Sequence, residues 1–260
     1  MGKGKIVSIH SFRGGTGKSN ITANLAAQFA NKGYRVGVID TDIQSPGIHV
    51  LFGMDEERID RALNDYLWGH CAIEDTAYEV GSRIGEGEVV VMSGSIYLIP
   101  SSLRAGEIAR VLREGYDVRL LNDGFRSLLD KLNLDYLFID THPGLNEETL
   151  LSIAISDLLI IILRPDQQDF QGTIVTVDVA RKLEVPHLYL VINKATSSLD
   201  FDDLRKQVQE TFGAPVAAVL PLSEDVARLA SSDIFSMRFP DHVVSQAIRD
   251  VADIVEIAED

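Results

Sequence analysis

The sequence predicts an α/β protein, a mostly parallel twisted sheet with helices on both faces. Three observations carry that expectation. Short apolar runs alternate with longer segments of helical period, as in β-α-β units. Several runs lack the apolar–polar alternation of a half-solvated strand, as expected where helices cover both faces of a sheet. A glycine-rich segment, Phe12-Arg13-Gly14-Gly15-Thr16-Gly17-Lys18-Ser19, stands between the first run and the first helical segment.

In chain order, Ile6–His10 reads as a strand and Ser19–Asn31 as the helix after it, followed by the strand Arg35–Ile39. Val89–Met92 and Ile96–Ile99, separated by Ser93-Gly94-Ser95, have the pattern of a hairpin. The strand Tyr136–Ile139 leads through Asp140-Thr-His-Pro-Gly to a helix at Asn146–Ile155. Leu158–Leu163, Leu188–Ile192 and Val216–Val219 complete the strands, with helices at Phe170–Leu183 and Asp202–Thr211 between them. Val243–Ala258 is a final helix. In an open sheet of this kind ligands sit beyond the carboxyl ends of the strands, where the polar motifs fall.

The length of 260 residues suits one domain, taken as 1–260, since no Pro-rich or Ser/Gly-rich stretch reads as a linker. Hydrophobic residues at 45% and charged residues at 24% are enough to build a sizeable core. The N-terminus lacks a long apolar region of signal-peptide type, and the run Leu158–Leu163 is too short to span a bilayer. With Cys71 alone, no disulfide can close within the chain. These features point to the cytoplasm. The 24 basic and 39 acidic residues give a formal charge of −15, which disfavours nucleic acid or an anionic membrane as a generic partner.

The glycine-rich segment is built for phosphate. Gly14, Gly15 and Gly17 let the backbone turn tightly and, with Thr16, aim successive N–H groups at one anion. The following helix adds the positive end of its dipole. Lys18 reaches the β- and γ-phosphates, and Ser19 places its hydroxyl on Mg²⁺. Phe12 occupies the position where the strict Walker A pattern has its first glycine, but the deviant form, a basic residue before Gly-Gly-x-Gly-Lys-Ser, fits. The fold class is therefore that of a P-loop NTPase.

Two carboxylates end strands downstream of this loop, Asp40 in Asp40-Thr41-Asp42 and Asp140 in Asp140-Thr141-His142-Pro143-Gly144. A carboxylate at the tip of a buried strand serves here to hold hydrated Mg²⁺ or to orient the attacking water. Asp140 suits the Mg²⁺ shell with Ser19. Asp40 is the candidate for the water and stands with those two as a metal candidate. Gly144 could bring a backbone N–H to the γ-phosphate.

Together, RGGTGKSN, the DTD segment, DTHPG, Asn193-Lys194 and Leu220-Pro221 resemble the MinD/ParA family of deviant Walker ATPases over most of the chain. The resemblance implies MgATP as ligand, an ATP-sandwich homodimer, slow hydrolysis, and the positioning or partitioning of a cargo with an activator partner. It implies that Asn193 meets the adenine edge and that backbone near Pro221 flanks the base. It assigns Asp42 to a first switch and Thr141–Asn146 to a second. It also makes Arg13, which replaces the signature lysine, a catalytic residue beside Lys18 and Asp40, acting across the dimer. The alternative for Arg13 is a pairing with a nearby acid. Asn20, which departs from the usual second hydroxyl, remains in the nucleotide-binding stretch.

Other signals point elsewhere. Cys71 reads as a small hydrophobe, His10 as a core histidine, and the scattered histidines suggest no metal cluster. The arginines between Arg104 and Lys131, interrupted by acids, read as a solvated helical face. In the last helix Val244, Ala247, Ile248, Val251, Ile254 and Val255 form an apolar stripe, while Arg249 faces Asp250, Asp253 and Glu256. That charge pattern repels anionic lipid, so the stripe is expected to pack on the domain and not to anchor a membrane. The expected function is an ATP-dependent positioning switch. The alternative is a scaffold that binds ATP and dimerises with little hydrolysis.

Overall fold

Period-two alternation along the strands decides where the core sits. The protein is represented by a computed structural model that describes residues 4–80 and 92–258. Strand β1 (Lys5–His10) sends Val7 and Ile9 into one apolar cluster and Ile6 into another. Helix α1 (Lys18–Asn31) follows, then β2 (Arg35–Asp40), whose Val36 and Val38 face one cluster and Ile39 the other. Next come the short helix α2 (Leu63–Leu67), the two-residue strand β3 (Tyr78–Glu79) and β4 (Ser95–Ile99). Helices α3 (Ala105–Glu114) and α4 (Arg119–Lys131) precede β5 (Tyr136–Asp140). The second half runs α5 (Glu147–Ala154), β6 (Leu158–Leu163), α6 (Gln167–Lys182), β7 (His187–Ala195), α7 (Phe201–Phe212) and β8 (Val216–Pro221). Helices α8 (Glu224–Leu229), α9 (Phe235–Arg238) and α10 (Val243–Ile257) follow.

The eight-stranded sheet has the order β3-β4-β2-β5-β1-β6-β7-β8. All its pairs are parallel except β3 with β4. One face is covered by α1 and α10 around Leu25, Phe29, Ile248 and Val251. The other carries two clusters, one under α4 with Phe125 and Leu128, one under α6 and α7 with Val177 and Val208. Strand β6 shows why its sequence lacks polar alternation, since Leu158, Ile160 and Ile162 enter the first core and Leu159, Ile161 and Leu163 the opposite one. Parallel strands align their C-terminal ends at one edge, so the loops after β1, β2, β5 and β7 converge there. Asp40 lies directly opposite Asp140 in the β2–β5 register.

Several sequence expectations meet the structure with changes. Ile96–Ile99 becomes β4, flanked by β2 in parallel and β3 in antiparallel register, while residues 89–91 of the expected hairpin lie outside the described residues. The segment between Arg104 and Lys131 is two helices, because Gly115 at φ 64° ends α3. Its solvated character holds for α3, where Val111 alone is buried, but α4 buries Leu121, Phe125, Leu128 and Leu129. In α10 the expected stripe packs on the domain through Val244, Ile248, Val251 and Val255. Lys32 at the end of α1 pairs with Asp253 and Glu256, at 2.6 and 2.5 Å, and fixes the helix from its polar side. Among the described residues no helix is long and apolar enough to cross a membrane.

Candidate nucleotide site

The segment between β1 and α1 folds as a tight loop on the strand-end edge. Gly15 and Gly17 adopt φ 78° and 96°, which L-residues with a Cβ rarely enter. Thr16 is buried, and its hydroxyl has no hydrogen-bond partner in the protein. Lys18 opens α1, and its ammonium lies 2.7 Å from Asp140 Oδ1, with both side chains buried. Thr22, one turn on, donates its hydroxyl to the Lys18 carbonyl at 3.0 Å and lies 3.5 Å from Asp140 Oδ1. Ser19 and Asn20 sit half-buried in the first turn of the helix. The sequence-derived pair of loop cation and strand-tip carboxylate is thus one ion pair in space.

Asp40 is also buried, and both its oxygens are occupied. Oδ1 accepts the backbone N–H of Asp42 at 3.0 Å and Oδ2 that of Gly47 at 3.1 Å. Burial, with the Asp140 charge second, pushes its carboxyl up to about 7. In this state Asp40 organises the loop after β2. Asp42, next in that loop, accepts from His142 Nδ1 at 2.6 Å, so the two segments assigned to switches touch each other directly. That hydrogen bond raises the His142 pKa, against the effect of burial.

The loop after β5 leans on the phosphate loop. Gly144, at φ 86°, donates its N–H to the Ser11 carbonyl at 3.3 Å, and Pro143 lies against Gly14. Gly144 is therefore placed beside the loop, with its N–H engaged by the chain itself. His10 is fully buried. Thr141 donates its hydroxyl to the Ile9 carbonyl at 3.0 Å, so His10 Nδ1 must donate to Thr141 Oγ1 at 2.8 Å. Burial, with the Lys18 charge second, lowers the His10 pKa to about 3. It is a neutral core histidine, as expected, although its Nε2 is buried with no hydrogen-bond partner among the described residues.

Arg13 pairs with nearby acids, the alternative that its position in the sequence left open. Its guanidinium lies 3.2 Å from Asp169 and 3.5 Å from Asp166, both at the start of α6, and Arg164 bonds the same two carboxylates. Within one chain it faces its own acids. Phe12 packs on α6 at Gly172, where a Cβ would sit 2.0 Å from the ring. Asn193, expected at the adenine edge, donates Nδ2 to the Thr16 carbonyl at 2.7 Å. It also lines a cavity of about 290 Å³ beside the loop, together with Asn20, Ile21, Pro221, Val226 and Ile248. Pro221 is thus on the wall of that cavity, close to the loop. Sequence reasoning missed Asp166, Asp169, Arg164 and the loop contact of Lys194. Asp166 carries a local signal as the N-cap of α6, whereas the pairing with Arg13 and the Lys194 contact are long-range.

A glycine loop on a helix N-terminus, a buried lysine within it, strand-tip carboxylates and an adjoining largely apolar cavity define a P-loop nucleotide-binding domain. Residues 7–236 match the CobQ/CobB/MinD/ParA nucleotide binding domain, and the chain belongs to that family. It is 26% identical to an uncharacterized ATP-binding protein of Methanocaldococcus jannaschii, over 95% of this chain and 85% of the relative. An iron-sulfur cluster carrier protein of Clostridium perfringens is 28% identical over 85% of this chain and 77% of its own length. The fold also superposes on the septum site-determining protein MinD complexed with Mg-ADP from Pyrococcus horikoshii, with a TM-score of 0.79 and 23% identity, covering 96% of this chain and 95% of the other.

Proposed function

We propose that this chain binds MgATP and acts as an ATP-dependent dimerisation switch that positions or partitions a cargo in the cytoplasm, with slow hydrolysis stimulated by a partner. The observation that carries the reading is the buried Lys18–Asp140 pair at the foot of the glycine loop, beside a cavity large enough for a purine. The residues fit the ligand. Gly14 to Asn20 would form the cradle, Ser19 and Asp140 would hold Mg²⁺ with Asp40 opposite Asp140, and the apolar side of the cavity would take the base. Bound Mg²⁺ would neutralise charge between the phosphates. Lys18 would then exchange part of its contact with Asp140 for phosphate oxygen. Similarity to a site-determining MinD supports the positioning role. The relatives that carry iron–sulfur clusters mark another use of the fold. The 260 residues hold one cysteine, so one chain cannot offer the paired thiolates of a Cys-ligated cluster.

A second reading, a scaffold that binds ATP and dimerises with little hydrolysis, is favoured by one observation. Asp40 spends both oxygens on the backbone N–H groups of Asp42 and Gly47, which suits an anchor of the loop after β2 better than a base for water. Sedimentation with and without MgATP, alongside turnover with and without native lysate, separates the readings. An ATP-dependent dimer whose turnover rises with lysate supports the switch. A dimer with no turnover in either condition leaves the scaffold, and absence of both ATP binding and dimer removes both.

A further inference from the structure

Asn193 and Lys194 stand near the C-terminal end of β7, where its ladder with β8 slips. Ile192 lies opposite Val219 and Ala195 opposite Pro221, so two residues of β7 face Leu220 alone. Such a bulge re-aims side chains that a regular strand would send to opposite faces. Lys194 makes the turn in a left-handed conformation, φ 58°, that lysine rarely adopts. As a result both side chains reach the phosphate loop. Asn193 Nδ2 donates to the Thr16 carbonyl and Lys194 Nζ to the Gly15 carbonyl, each at 2.7 Å. Asn193 Oδ1 accepts the Lys194 N–H at 2.9 Å and closes the bulge. Gly17 leaves room for this approach, since a Cβ there would lie 2.5 Å from Asn193 Nδ2.

In a planar trans peptide the carbonyl and the following N–H point in opposite directions. A donor that holds the Gly15 carbonyl therefore also sets the Thr16 N–H, and one that holds the Thr16 carbonyl sets the Gly17 N–H. Consecutive N–H groups turned to one side form an anion-binding concavity. We propose that Asn193 and Lys194 are positioning residues of the phosphate loop. They hold two successive peptide planes so that the N–H groups face bound phosphate, and the Asn193 amide nitrogen serves the loop and not the base. The proposal rests on the MgATP reading above.

Calorimetric titration of the full chain decides it, using MgATP and, in competition with it, magnesium tripolyphosphate, which has no base. The variants are Asn193→Ala, Lys194→Ala and Lys194→Arg. A brace contributes charge-assisted or amide hydrogen bonds to the loop, so each alanine variant should weaken both ligands by a similar factor of roughly ten. Lys194→Arg keeps a long cationic donor and should recover most of the affinity. A loss confined to MgATP would make Asn193 a base contact and overturn the proposal, as would unchanged affinities. Lys194 is exposed, so its truncation leaves the core intact and decides the matter even where Asn193→Ala fails to fold. Wild-type protein that binds neither ligand would instead remove the MgATP reading.

Discussion

Arg13 Nη1 lies 3.2 Å from Oδ1 of Asp169, a carboxylate only 2% exposed at the start of α6. Asp169 has other partners too, because it accepts the backbone N–H of Arg164 at 2.9 Å and its Nε at 3.2 Å. The residue that leads the glycine loop is thus docked on the following layer of the fold, with Phe12 seated on Gly172 one turn further along the same helix. A buried carboxylate with two arginines keeps a counter-ion when one of them departs. That property makes Arg13 free to move at little cost to the fold.

Lys18→Ala should lose MgATP affinity at least tenfold, since a charge-assisted contact is worth ~1.5–3 kcal/mol. It should also lower stability, because Asp140 is left buried without its ion-pair partner at 2.7 Å. Breaking a buried pair from one side typically costs about 3–5 kcal/mol. Calorimetry and a thermal melt check the two effects. Unchanged affinity in a folded variant would refute the phosphate-loop assignment.

Asp40→Ala should keep MgATP binding while turnover slows and an ATP-bound dimer accumulates. In the proposed site Ser19 and Asp140 would still hold Mg²⁺, whereas the loop after β2 loses the anchor for the Asp42 and Gly47 amides. Light scattering with ATP provides the test, and a purely monomeric population would contradict it.

Two buried groups should give opposite pH slopes in nucleotide-free protein. Asp40 titrates near 3.8 when unfolded and at about 7 when folded, so between those values the folded state holds the extra proton and stability falls as pH rises. His10 titrates near 6.5 unfolded and at about 3 folded, so there the unfolded state holds the extra proton and stability rises with pH. Asp40→Asn should therefore make stability rise more steeply from pH 4 to 6.5 than in wild type. His10→Asn, which keeps a donor for Thr141, should tilt the curve the other way. Urea unfolding at several pH values measures both slopes, and parallel curves would refute the assignments.

The legible part of the site is the part encoded by local spacing. Gly14 to Ser19 can be read because strand, glycines, lysine and helix follow one another directly, and Asp40 and Asp140 because each ends an apolar run. The Arg13–Asp169 contact spans 156 residues and His142–Asp42 spans 100, and no period in the sequence marks either. Tyr78–Glu79 is too short for alternation to appear, and its pairing with β4 is a tertiary choice. Asn193 stands out in the sequence, but its use depends on a bulge, which arises from the mismatch between two strands and is invisible in one of them.

Arg13 should change partners when the protein dimerises. In the proposed ATP-bound dimer its guanidinium leaves Asp166 and Asp169 and meets the partner's phosphates, where its planar fork binds oxygens bidentately and stays charged at every working pH. Three consequences follow for Arg13→Ala. Nucleotide binding should persist, because Lys18 and the loop amides remain. Stability should change by less than about 1 kcal/mol, the range of exposed ion pairs, since Arg13 is 37% exposed and Arg164 still neutralises Asp169. ATP-dependent dimerisation and most turnover should be lost. Arg13→Lys, with a point charge in place of a fork, should dimerise with an altered rate. The combination matters more than any one result. Loss of binding would mean that Arg13 holds the loop in place through α6, and a large drop in melting temperature would make the Asp169 contact structural. A normal dimer with normal turnover, seen by sedimentation with ATP, would leave Arg13 as a surface ion pair and shift the search for the interfacial cation to Arg164.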